Sequence, residues 1–258
     1  MIDAIAAAVR EAGAAALEIY ERHRESGIEV DAKGDGSPVT AADLAADRIL
    51  VAALERIAPD IPVVTEERAE SHLEAAPERF FLVDPVDGTK EFVRGTDEWT
   101  VNVGLIEGGV PVAGVIMAPA KERLFIADAS GAFELVGTNR RALAVTKESE
   151  PRACVASKSH RTPETDAFIA ANGIEGTVSA GSSLKFCLVA AGEADIYPRF
   201  GPTMEWDTAA GDAILRAAGG RVQAVDGGAL AGPLRYGKAG WRNTHFIASS
   251  RACGFTMG

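Results

Sequence analysis

Residues 79 to 136 restrict the fold more than any other stretch. They offer strand after strand with only turns between them: "RFFLV", "EWTVNVGLIEGG", "VPVAGVIMAP", "ERLFIADAS" and "GAFELV". β-branched and aromatic runs of this length, bounded by Gly and Pro, read as strands, and Gly108-Gly109 reads as a hairpin turn. Strands joined without helices pair antiparallel. From about residue 150 the rhythm changes. "ACVASKS", "TVSA", "DIYP" and "RVQAV" alternate with the helical patterns "TPETDAFIAANG", "SSLKFCLVAAGEA" and "WDTAAGDAILRAAGG". That alternation predicts an α/β layer with a mixed or mostly parallel sheet. Two subdomains follow, an α+β part over 1–145 and an α/β part over 146–258.

Ahead of the sheet lie two helical patterns. The alanine-rich N-terminus carries Ile2, Ile5, Val9, Leu17 and Tyr20 at helical spacing, with Asp3, Arg10 and Glu11 among them. It reads as an amphipathic helix, since a signal peptide needs a positive start and a long apolar run. Residues 27 to 40 are rich in Gly and Asp and read as an extended hairpin or a mobile loop. A second helix is predicted from about Ala41 to Ile57, with Thr40 and Asp43 in the T-x-x-D capping pattern.

Charge and cysteine usage narrow the function. A formal net charge of −11 argues against a nucleic-acid surface. It leaves room for anionic substrates held through divalent cations. Cys154, Cys187 and Cys253 are odd in number, scattered and without a C-x-x-C pair, so buried, reduced thiols are expected in place of disulfides or a zinc cluster. A cytoplasmic protein is the expectation, and a peripheral position at the inner face of a membrane stays open.

Five acids stand where elements begin or end: Asp43 at the second helix, Glu66 after "PVVT", Asp84 and Asp87 after "FFLV", and Asp207 before "TAAGDAIL". Singly, each has a plain reading as a cap, a turn or a solvated acid. Jointly they suit magnesium, which takes carboxylate, water and substrate oxygens. Two such ions about 3.5–4 Å apart can activate a water and neutralise a leaving oxygen. Pro85 gives no amide donor, and the Val86 carbonyl is free to act as a ligand. In "DGTKEFVR" the backbone turns into a helix whose first N–H groups can hold a phosphate. Gly88 allows close approach, and Thr89 can relay a proton from water to Asp43. Two rival motifs fail on spacing. A calcium-binding EF-hand loop has acids where this chain has Pro85-Val86. The D-x-D-G-T of haloacid-dehalogenase-like phosphatases is one residue shorter than D-x-x-D-G-T.

Together, "EE" at 66 and 67, "DPVDGTKEF" at 84 to 92 and "WDTAAGDAIL" at 206 to 215 resemble the signatures of the inositol monophosphatase-like family. "DGTKEF", "WTVNVGLIEGGVPVAGVI" and "GSSLKFCLVAAGEADIYPRFGPTMEWDTAAG" look most like its 3'(2'),5'-bisphosphate nucleotidases of the CysQ type. The resemblance implies a layered αβαβα sandwich of the inositol monophosphatase/fructose-1,6-bisphosphatase type. It implies a magnesium-dependent, lithium-sensitive phosphomonoesterase that hydrolyses adenosine 3',5'-bisphosphate, a by-product of sulfate activation, by metal-activated water attack. Inositol 1-phosphate or another sugar phosphate is the alternative substrate, and a non-catalytic cation or nucleotide sensor is the alternative class.

Matching positions then imply roles. Glu66, Asp84 and the Val86 carbonyl would hold one magnesium, and Asp84, Asp87 and Asp207 a second. Glu66 would share a third through water. Thr89 and Asp43, with Glu66, would serve catalysis. Asp87, Gly88, Thr89, Ser183, Lys185 and Asp207 would bind substrate. Lys185 and Arg199 could neutralise a second phosphate, or Lys185 could lie along the surface. His160 and His245 read as structural or surface residues. Thr65 replaces the Ser or Gly of many relatives without an expected effect on the ligands. Monomer and homodimer both remain open.

Overall fold

The computed structural model describes residues 1–26, 31–32, 38–72, 75–156 and 161–257. Helix α1 (Ile2–Ser26) is followed by the short strands β1 (Asp31–Ala32) and β2 (Pro38–Val39), then by α2 (Ala41–Ile57). β1 and β2 pair antiparallel, so the 27–40 segment takes the hairpin alternative over its described residues. The first sheet then forms in chain order: β3 (Val63–Thr65), β4 (Arg79–Asp87), β5 (Thr100–Glu107), β6 (Val110–Ala118), β7 (Arg123–Asp128), β8 (Gly131–Val136) and β9 (Asn139–Ala142). Only β3 and β4 run parallel; the other neighbours are antiparallel. A short helix, α3 (Thr89–Val93), lies between β4 and β5.

The second half alternates as the sequence predicts: β10 (Ala153–Ala156), α4 (Pro163–Ala171), β11 (Gly176–Ser179), α5 (Leu184–Ala190), β12 (Ile196–Arg199), α6 (Ala209–Ala217), β13 (Gly220–Asp226), β14 (Ala229–Pro233) and β15 (His245–Ser250). Its sheet has the order β11-β10-β12-β15-β13-β14 and is mixed. β10 runs parallel to β11 and β12, whereas β15 pairs antiparallel with both β12 and β13.

Side-chain alternation along the strands sorts the core into layers. On β4, Phe81 and Val83 face α1 and α2, while Phe80 and Leu82 face inward toward α5 and α6. On the second sheet, Val155 and Tyr197 join that same inner core, while Cys154 and Ile196 face Phe168 and Ile169 of α4. The stacking is therefore α1/α2, first sheet, α5/α6, second sheet, α4: the expected αβαβα sandwich. Gly104 and Gly114, opposite each other on β5 and β6, let α6 lie directly on the first sheet. A Cβ on Gly114 would stand 2.4 Å from the Ala210 carbonyl oxygen, which is inside atomic contact. Among the described residues no helix is long and apolar enough to cross a membrane.

Three differences from the sequence reading have local causes. β4 does not end at Val83 but continues to Asp87, with its register slipping between the pairs Asp84↔Asn102 and Asp87↔Thr100. Pro85 has no N–H for the ladder, and the extra residue is taken up as a bulge. Strands β9 and β14 are largely exposed and lack the alternating apolar pattern by which strands are read. Helix α6 begins at Ala209, so Asp207 precedes it and does not cap it.

Candidate active site

The bulge in β4 sets the chemistry of a cleft of about 610 Å³ between the two sheets. Asp84 lies before the slip and Asp87 after it, and both line the cleft with Val86 between them. The chain then reverses at Gly88, whose φ of 92° is left-handed and suits glycine. Helix α3 begins at the next residue. Thr89 Oγ1 lies 3.2 Å from the Val86 carbonyl oxygen and 3.3 Å from Asp43 Oδ1. Its single hydrogen can serve only one of the two fully.

Asp43 proves to be both cap and support. Its Oδ2 accepts from the Thr40 amide at 2.8 Å and from the Thr40 hydroxyl at 2.6 Å, closing the capping box of α2. Oδ1 is left for Thr89. The two Asp43 oxygens therefore face different partners, Thr40 on one side and Thr89 on the other. Asp43 itself is buried behind Thr89.

Glu66 enters at the end of β3, where its amide donates to the Val83 carbonyl at 3.1 Å. Asp207 enters from the turn before α6, where Oδ2 accepts from the Met204 amide at 2.8 Å. Carboxylate oxygens of Glu66, Asp84 and Asp207 lie within 4.8 Å of one another, although the residues come from three separate elements. Asp87 stands beside them, its Oδ2 accepting from the Ser183 amide at 2.5 Å. Burial pushes Asp87 up to about 6, against the pull of Lys185 and the Ser183 amide. Burial, and then the charges of Asp87 and Glu66, hold Asp207 well above the ordinary carboxylate range. Four acids so close repel unless protonated or bridged by a cation. An all-oxygen donor set with a backbone carbonyl beside it fits a hard divalent cation. The triple takes Glu66 and Asp84 from one expected ligand set and Asp207 from the other.

The same cleft also carries basic groups. Lys185, near the start of α5, is buried, and burial pulls its ammonium down to about 8 against the attraction of Asp87. Its Nζ sits 5.3 Å from the Tyr197 ring centre. The reading of Lys185 as a surface residue is thereby corrected, because its helix packs between the sheets. Arg199, at the end of β12, also lines the cleft and donates to the Pro202 carbonyl at 3.1 Å.

Ser183 also needs correction. Its hydroxyl is buried against Thr100 Oγ1 at 2.8 Å and Asn102 Oδ1 at 2.7 Å, away from the cleft. Its amide instead holds Asp87 in place. Ser182 lines the cleft in its stead, at a φ of 48° that is unusual for a side-chain-bearing residue. Arg161 and Arg242 line the mouth as well, and neither belongs to a motif that could have singled it out. His245 is exposed and edge-on to Phe200, whereas His160 lies outside the described residues. All three cysteines are buried and free, and burial raises each thiol.

The sequence profile of the inositol monophosphatase family matches residues 1–253. The 3'(2'),5'-bisphosphate nucleotidase CysQ of Shigella flexneri is 42% identical over 223 residues, 86% of this chain and 89% of that protein. The histidinol-phosphatase of Mycobacterium tuberculosis is 38% identical over 215 residues, 80% of each chain. The crystal structure of CysQ from Bacteroides thetaiotaomicron superposes with a TM-score of 0.79 at 37% identity, covering 96% of this chain and 97% of the other.

Proposed function

The chain belongs to the inositol monophosphatase family, and on that premise we propose that it is a 3'(2'),5'-bisphosphate nucleotidase. It removes the 3'-phosphate of adenosine 3',5'-bisphosphate, leaving AMP and inorganic phosphate. One observation carries the reading beyond a general phosphatase: a single cleft opposes Glu66, Asp84, Asp87 and Asp207 with a buried Lys185 and with Arg199. An acidic wall suits cations that hold the reacting phosphate. Basic groups in the same cleft suit a second phosphate, which a monoester of a neutral sugar lacks.

Glu66, Asp84, Asp87, Asp207 and the Val86 carbonyl are the residues assigned to magnesium, with lithium expected to inhibit. When bound, the ions lower the pKa of water and neutralise the leaving oxygen. The protein's own groups do the rest. Thr89 Oγ1 orients the attacking water and accepts a proton from it, while its own hydrogen passes to Asp43 Oδ1. The turn from Asp87 to Thr89 presents backbone N–H groups to the phosphate. Ser183 acts indirectly, by fixing the Asp87 carboxylate with its amide. Lys185 and Arg199 meet the remaining phosphate, and the burial of Lys185 strengthens that interaction by excluding water.

Phosphate release from adenosine 3',5'-bisphosphate, inositol 1-phosphate, histidinol phosphate and fructose 1,6-bisphosphate, all at the same magnesium concentration, tests the assignment. The nucleotide should give the highest kcat/KM by at least about tenfold, the smallest margin worth one charged hydrogen bond. A preference for any of the other three overturns the substrate. No turnover of any of the four overturns the activity.

A further inference from the structure

Glu66 and Asp207 come from opposite halves of the chain, and their like charges push them apart. Something must hold them within reach of one cation, and one side chain touches the backbone neighbours of both. The His72 ring stacks on Trp206 with centroids 4.8 Å apart and planes 21° apart. Its Nε2 lies 2.8 Å from the carbonyl oxygen of Thr65. A carbonyl only accepts, so Nε2 carries the hydrogen. Thr65 directly precedes Glu66, and Trp206 directly precedes Asp207.

We propose that His72 is a positioning residue that sets the distance between Glu66 and Asp207. The proposal rests on the cation-binding reading of those acids and adds to it a residue outside their motifs. The loop that presents His72 is itself closed. Ser71 Oγ donates to the Arg68 carbonyl at 2.6 Å and accepts from the Thr65 amide at 3.1 Å. Arg68 Nε and the Thr65 hydroxyl reach the two oxygens of Asp47 in α2, at 2.7 Å and 2.8 Å. The loop is thus anchored to α2 and β3 on one side. On the other it offers a flat ring to Trp206, which is buried in the inner core. Stacking fixes the spacing of two planes while the hydrogen bond fixes rotation, so together they restrain the gap between the two ligand segments. Thr65 itself contributes its hydroxyl to the anchor.

Partners that orient metal ligands typically account for about 10–100-fold in metal affinity. His72→Ala should therefore weaken magnesium and manganese binding by at least about tenfold, measured by calorimetry and by manganese electron resonance. kcat at saturating magnesium should return to near the wild-type value. His72→Phe keeps the stack and loses the N–H, and should give an intermediate loss even if the alanine variant folds poorly. Tyr20→Phe serves as the stability control, since it removes a 2.8 Å hydrogen bond to Asp97, neither residue lining the cleft. It should lower Tm without moving cation affinity. Wild-type cation affinity in both His72 variants overturns the role, as does an equal loss in Tyr20→Phe. Failure of the wild-type protein to bind either cation overturns the underlying reading instead.

Discussion

The two walls of the cleft are built differently. On the acidic side three of the four acids are tied to a strand end or a turn by a backbone hydrogen bond. Glu66 is fixed through Val83, Asp207 through Met204 and Asp87 through Ser183. On the basic side the groups are long side chains, and their exposure rises from the buried Lys185 through Arg199 to the exposed Arg161 and Arg242. On the proposed reading, the difference separates two tasks. Bond breaking needs groups held to a fraction of an ångström, which backbone-anchored carboxylates supply. Recognition of a second anionic group tolerates flexible cations that close on whatever arrives.

Substitutions on the two walls should therefore fail in different ways. The largest effect is expected from Asp87→Asn, which removes an acidic-wall charge and keeps its shape. Phosphate release should fall by about 1,000-fold or more, beyond the loss typical of one electrostatic stabiliser. Circular dichroism should be unchanged, and the Tm without cation should not fall, because a buried charge has gone. Full magnesium-dependent turnover in this variant would remove Asp87 from the ligand set. Lys185→Gln probes the other wall and should act on binding. KM for the bisphosphate should rise by about 10–100-fold, the equivalent of one charged hydrogen bond, with kcat little changed. A loss in kcat alone would show that the two walls do not divide the work.

The smallest effect is thermodynamic. The folded, cation-free protein keeps a proton on Asp87 up to about pH 6, and the unfolded chain gives it up near pH 4. Between those values the folded state binds more protons, so its stability falls as pH rises. Asp207 shifts in the same direction. Magnesium has no proton to displace above this window, so its stabilisation should be greater at pH 7.5 than at pH 5. At 100 times its Kd it adds about 2.7 kcal/mol, or about 5–10 °C in Tm for a chain of this size. Equal Tm gains at both pH values would mean that Asp87 and Asp207 are not displaced from their ordinary titration.

Much of this was legible beforehand, for reasons that differ by residue. Thr40 and Asp43 could be read because a capping box depends only on neighbours three apart. Gly108-Gly109 could be read because its turn needs left-handed backbone, and both residues have positive φ. Asp84 and Asp87 stood out because the proline between them broke a strand pattern. Ser182 and Ser183 could not be told apart, since which hydroxyl faces the cleft depends on the turn into α5. Lys185 could not be placed either. A lysine beside a buried helix and a lysine on a surface helix look alike until the second sheet covers one of them. Arg161, Arg242 and His72 carried no local signal.

The sequence alone determined the order of elements, the acids at their ends and the absence of a D-x-D-G-T nucleophile, because hydrophobic period, turn chemistry and motif spacing are short-range properties. Tertiary structure alone decided which acids meet. Glu66, Asp84 and Asp207 are separated by as many as 141 residues in the chain, yet their oxygens lie within 4.8 Å. What joins them is packing: Gly104 and Gly114 admit α6 onto the first sheet, and that close approach carries Asp207 to the bulge where Asp84 waits. A distance fixed by the absence of two side chains on one sheet is a property of the assembled layers, which no local pattern encodes.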